Sequence, residues 1–169
     1  ELLSCGGAPL SAATVREALR TFDCEFFLSY GMTECCGKIS MSLVDEATRA
    51  RLGPARTVDL ITTSGRAFGL LEVRVVGARD GSNVPTSDTP DAADADARDV
   101  ARGSGEVGEV WIRGPTLFGG YNNNPKATAE AITPAGWFRT GDLALVNEEN
   151  YLTITDRAKD MILVGSENV

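Results

Sequence analysis

Apolar positions divide the chain into two differently patterned stretches. In the first they come as short solid runs. Leu2 to Cys5 is one such run, ending on the turn Gly6-Gly7-Ala8-Pro9. Ser11 is placed to cap a helix, since Val15, Ala18, Leu19 and Phe22 then fall on one face at i, i+3, i+4 and i+7. Glu25 to Ser29 reads as a second buried strand that delivers the polar loop Tyr30-Gly31-Met32-Thr33-Glu34. A strand–helix–strand unit closing on a glycine-bearing loop sets that loop where open α/β sheets bind ligands.

After Gly65 the pattern turns to alternation. Leu71, Val73 and Val75 alternate with Glu72 and Arg74, and Val110 and Ile112 with Glu109, Trp111 and Arg113. Asn124 before Pro125 marks the start of a short helix. Leu143 and Leu145, then Leu152 and Ile154, predict a hairpin turning at Asn147-Glu148-Glu149-Asn150. Met161 to Val164 is the last apolar run. The expected fold is α/β over residues 1–64, then a β-rich, barrel-like subdomain over 65–160, with 161–169 opening a further domain.

Composition narrows the function. The chain has 169 residues, 43% apolar and 24% charged, the profile of a globular protein with a core of its own. No apolar run reaches the length of a transmembrane helix. Of the net charge of −8, about −3 sits in Arg79–Gly105, where six aspartates face three arginines; this segment reads as a disordered insertion between two alternating strands. Without a basic patch a nucleic-acid partner is set aside. Histidine is absent, and the four cysteines form no Cys-x-x-Cys pair, which argues against zinc and excludes a histidine-assisted nucleophile within this chain. Cys35 and Cys36 read as small buried residues, and reduced thiols suit an intracellular compartment.

Four segments, in order, resemble the adenylate-forming superfamily, most of all acyl-CoA synthetases: Gly6 to Leu10, Tyr30 to Glu34, Gly108 to Leu143, and Asp156 to Asp160. Gly65-Arg66 with Glu72 is similar to a further family strand, although Ala67 and Ser166 depart from the pattern. The chain would then be part of the N-terminal domain of a ligase that activates a fatty or aryl carboxylic acid with ATP and passes it to CoA. The resemblance implies that Gly6, Gly7, Ala8 and Pro9 lie along the adenine, with Tyr30 against its face; Gly31 and Met32, part of the same nucleotide-site segment, would border the acyl pocket. It gives Thr33 to the α-phosphate and Glu34 to magnesium, the two residues closest to the chemistry. Asp142 would accept the ribose hydroxyls and Arg157 would contact ribose or phosphate. Asp160 would be a hinge, and Gly165, Ser166 and Glu167 would lie near the CoA arm. Both ends of the chain look cut: the family's phosphate loop and late lysine are not in it, so the 169 residues alone are expected to be inactive. Two other readings stay open, an adenylation domain that loads a carrier protein and a non-catalytic adenosine-binding or interaction module.

Overall fold

The computed structural model describes residues 1–22, 24–78, 97–100, 103–157, 163–164 and 167–168. Leu2–Gly6 (β1) and Glu25–Met32 (β2) run parallel with Gly6 beside Ser29, and the crossover between them carries the helix Ala12–Thr21 (α1). Ser11 caps α1 by accepting from the Thr14 amide at 3.1 Å. Val15 is buried from this helix, but Phe22 is 50% exposed: the helix ends at Thr21 and the backbone at Phe22 is already extended, which carries its ring off the apolar face.

β2 continues further than the apolar run suggests. Tyr30, Gly31 and Met32 belong to the strand rather than to a loop, because Gly37–Met41 (β3) folds back antiparallel along them; only Thr33–Cys35 form a turn. Arg66–Ala67 (β4) completes this sheet in the order β1-β2-β3-β4. The strand β3 is not evident from hydropathy because Ser40 within it and Ser42 just past its end are buried. Ser40 donates to the Ser64 carbonyl at 2.6 Å; Ser42 donates to the Ile61 carbonyl at 2.8 Å and accepts from the Leu28 amide at 2.8 Å. Buried hydroxyls with both partners satisfied cost little.

The helix Glu46–Ile61 (α2) is also absent from the expectations. It is two helical segments joined at Gly53, whose φ of 73° and ψ of 174° break the spiral, and Pro54 opens the second segment, where no amide donor is needed. Leu60 and Ile61 from α2 pack with Val15, Phe26 and Leu28.

The second sheet is antiparallel, in the order β6-β5-β7-β8-β9, built from Glu72–Ala78 (β5), Ala97–Asp99 (β6), Gly108–Arg113 (β7), Phe138–Val146 (β8) and Leu152–Arg157 (β9). It is open, with β6 and β9 at its edges, where the run of short strands after an α/β unit suggested a barrel-like subdomain. The expected hairpin turn at 147–150 is present, closed by the Asn150 amide on the Asn147 carbonyl at 3.0 Å. Asn124 caps Pro125–Ala131 (α3), accepting from the Ala127 amide at 3.1 Å. Most of the acidic stretch, 79–96 and 101–102, lies outside the described residues. Its far end is part of the sheet: Asp99 pairs with Val76, its carboxylate meets Arg74 at 2.6 Å, and Val100 is buried. Leu163–Val164 (β10) and Glu167–Asn168 (β11) pair as a short ladder.

The two sheets share a core. The Leu152 amide donates to the Gly65 carbonyl at 2.7 Å, and Tyr151, fully buried, enters the α1/α2 cluster and donates to the Leu43 carbonyl at 2.7 Å. This joint fixes how the ends of β1 and β2 face β8.

Candidate nucleotide site

β1 and β2 are parallel, so their carboxyl ends emerge together. Past them lie Gly7, Ala8 and Pro9, all exposed. Gly6 has no room for a side chain, since a Cβ would lie 2.7 Å from the Ser29 hydroxyl oxygen, and Gly7 holds a φ of 89° that disfavours any other residue. One residue past Ser29, Tyr30 lies in the part of β2 that pairs with β3, opposite Ser40. Gly31 is required there by close approach: a Cβ would collide with the Gly37 carbonyl. Met32 packs against the core of the second sheet, and Thr33 is exposed on the turn.

The second sheet contributes Asp142. It stands within β8 rather than at a strand start, next to Gly141, whose φ is 73°, and is 3% exposed. The Tyr30 hydroxyl donates to its Oδ2 at 2.5 Å across 112 residues of sequence. Burial, and then the neighbouring Asp142 charge, hold the Tyr30 phenol well above the usual tyrosine range, so it stays a donor at neutral pH.

Glu34 is held from the other direction. Its carbonyl accepts from the Phe118 amide at 2.7 Å, and its Oε1 accepts from the Tyr121 hydroxyl at 3.1 Å. Phe118 packs edge-on against both Tyr121 and Phe138, which ties the 114–124 loop to β8. Burial and the Glu34 charge raise the Tyr121 phenol. Beside it a surface depression of about 700 Å³ is bordered by Gly120, Tyr121, Asn124 and Thr128.

Of the residues singled out in the sequence, the structure thus joins Tyr30 to Asp142 and sets Gly6 and Gly7 next to the start of that pair, with Thr33 and Glu34 on the turn that follows. Arg157 lies opposite Asp142 in the β8–β9 ladder; its side chain is outside the described residues, as are Asp160, Gly165, Ser166 and the side chain of Glu167. Two participants carry no role in the sequence reading. Tyr121, an exposed aromatic between glycines and asparagines, offers a composition signal. Glu109 offers none, being a charged residue at an alternating position of a strand. Cys35 is buried as expected, whereas Cys36 is exposed because its backbone is left-handed, with a φ of 58°.

Among the described residues no group of three or more acidic or cysteine side chains could hold a metal ion. A single carboxylate is nevertheless the usual protein contribution to a magnesium ion whose other ligands are phosphate oxygens and water. Glu34, partnered by a neutral phenol, has that donor chemistry.

A buried carboxylate bonded to Tyr30 beyond the parallel β1–β2 pairing is the candidate site, and comparison with known proteins gives the family. The AMP-binding enzyme model matches residues 1–122, and the chain belongs to that family. It is 31% identical over 161 residues to 4-coumarate–CoA ligase-like 9 of Arabidopsis thaliana, covering 95% of this chain and 24% of the relative. With the long-chain-fatty-acid–CoA ligase of Thermus thermophilus it shares 48% over 138 residues, 82% of this chain and 22% of the relative. Among solved structures, the amide bond synthetase McbA of Marinactinospora thermotolerans superposes with a TM-score of 0.72 at 29% identity, over 98% of this chain and 28% of that one. ATP-bound MatB of Rhodopseudomonas palustris gives 0.68 at 27% identity, over 99% and 27%. The chain therefore spans about a quarter of the length of the relatives it matches.

Proposed function

We propose that this chain supplies one wall of the nucleotide site of an acid–CoA ligase, which joins a fatty or aryl acid to AMP and then transfers the acyl group to CoA. The observation that carries this is the Tyr30–Asp142 contact, which places an aromatic ring and a buried carboxylate together at the carboxyl ends of β1 and β2. Adenosine has the matching chemistry, a flat ring and a vicinal diol. With its hydroxyl engaged, Tyr30 offers its ring to adenine, while Gly6, Gly7 and Ala8 let the backbone approach the ring edge. Asp142 accepts from the ribose hydroxyls; a carboxylate has about four acceptor sites, so the phenol does not saturate it.

In the first step the carboxylate of the acid attacks the α-phosphorus and pyrophosphate leaves. Little covalent help is needed, and positioning with charge stabilisation does the work. Thr33 donates to an α-phosphate oxygen. Glu34 is the protein ligand to magnesium, which when bound offsets phosphate charge. Arg157 adds a fixed positive charge near the ribose or phosphate. Asp160 acts as the hinge between the adenylating and thioester-forming states, and Gly165, Ser166 and Glu167 border the CoA arm.

The test uses the full-length protein that carries this chain, with ATP, magnesium and a panel of fatty and aryl acids. Acid-dependent release of AMP and pyrophosphate, with a thioester formed when CoA is added, is expected. No acid-dependent pyrophosphate from any acid would sink the proposal, and adenylate formation without thioester would move the acceptor from CoA to a carrier protein. Asp142→Ala should weaken ATP binding by about 1.5–3 kcal/mol, roughly 10- to 150-fold, in calorimetry. The 169-residue chain alone should turn over no ATP.

A further inference from the structure

β7 and β8 fall out of step at the site. They pair Glu109 with Leu143 and then Trp111 with Arg139, so Val110 alone stands opposite Thr140, Gly141 and Asp142. An ordinary bulge carries one surplus residue; this one carries two, and the Gly141 amide within it is met by a side chain from β7. That side chain is Glu109, 3% exposed. Its Oε1 accepts from the Gly141 amide at 3.1 Å, and its Oε2 accepts from Trp111 Nε1 at 2.8 Å and Arg139 Nε at 3.3 Å. Thr140 completes the fastening, donating to the Val110 carbonyl at 2.7 Å and accepting from the Asp142 amide at 3.1 Å. Each residue from Arg139 to Gly141 is thereby tied to β7, and Asp142 leaves the bulge aimed at Tyr30.

We propose that Glu109 is a positioning residue of the nucleotide site, its buried carboxylate setting the shape of the 139–142 bulge and so the direction of Asp142. This rests on the assignment of Asp142 to the ribose. All the groups facing Glu109 are donors, and a carboxylate is acceptor-only; an amide of the same shape must turn its NH₂ toward at least one of them. A buried ion pair kept only for stability is often replaced by apolar packing without loss. The contact to the Gly141 amide, immediately before Asp142, gives this one a directional role instead.

The experiment compares wild type, Asp142→Asn and Glu109→Gln in the full-length protein, measuring kcat/KM for ATP and for 2′-deoxyATP and KM for the acid. Wild type should prefer ATP by about tenfold or more, as expected for a hydrogen bond to a charged group. Asp142→Asn, which keeps only a neutral acceptor, should reduce that preference. Glu109→Gln should cut it at least threefold and leave KM for the acid unchanged. A wild-type preference retained in Glu109→Gln, with Asp142→Asn behaving as expected, overturns the inference. If Asp142→Asn also keeps the preference, the ribose assignment fails, and amide exchange at Gly141 in this chain decides on Glu109: unchanged protection in Glu109→Gln overturns its role, and faster exchange sustains it. Should Glu109→Gln not fold, Glu109→Asp, which keeps the charge and loses reach, replaces it with the same outcomes.

Discussion

Gly7, Ala8 and Thr33 are exposed just past the last ladder pairs of β1 and β2, whereas Asp142 is buried in an antiparallel frame. In that frame Trp111 is fully buried, and Trp137 is 6% exposed with the guanidinium groups of Arg74 and Arg113 over its ring, 5.0 and 4.4 Å from its centre. One wall presents backbone and small side chains, which can follow a ligand. The other presents a single charge whose direction is determined by its surroundings. A side that yields and a side that stays fixed have separate parts in binding. On the proposed function, the first would accommodate a flat ring and the second would set register along the sugar.

Truncation should separate the two walls most clearly. Trp111→Ala removes a fully buried indole and the donor it gives to Glu109, and should lower unfolding free energy by about 3–5 kcal/mol in denaturant titration. Thr33→Ala, on the exposed turn, should stay within about 0.5 kcal/mol of wild type. Comparable losses in both would mean that the strand-end wall is as firmly built as the other, and the contrast would fail.

The yielding wall still needs a firm base, and Ser42 is where that can be measured. Its hydroxyl serves the Leu28 amide and the Ile61 carbonyl, joining β2 to the end of α2. Ser42→Ala leaves both buried groups without it and should cost about 1–3 kcal/mol. A neutral result would show that water replaces the hydroxyl and that the base of β2 is accessible to solvent.

The same serine shows why parts of the molecule were legible in sequence and others were not. Local signals were sufficient where one residue type does one job: Ser11 and Asn124 cap helices, and the turn at 147–150 closes its hairpin. They failed where polarity is buried, as in β3, or where a helix survives an interruption, as Gly53-Pro54 interrupts α2. At the site, the family motifs named Tyr30 and Asp142, yet it is the tertiary joint of the two sheets, as at Gly65 and Leu152, that brings residues 112 apart within hydrogen-bonding distance. Glu109 was hidden because an alternating strand reads its polar face as solvated. That face is closed by Trp111 and Trp137, and the closure is a tertiary fact.

The smallest effect concerns the contact between the walls. Burial first and the Asp142 charge second raise the Tyr30 phenol above its unfolded value, so the folded state keeps this proton after the unfolded chain has released it. The stability linked to it is complete below about pH 10 and declines as pH rises from there through the folded value, because over that window the unfolded state binds fewer protons. Tyr121 and Tyr151, raised chiefly by burial, act in the same direction. Tyr30→Phe should therefore flatten the alkaline limb of stability against pH without removing it, by no more than the limit for one proton, about 1.4 kcal/mol per pH unit. Denaturant midpoints at stepped pH would measure the difference. An identical limb in the variant would mean that the Tyr30 phenol ionises as in the unfolded chain. It would then be neither buried nor engaged by Asp142, and the two walls would not be in contact.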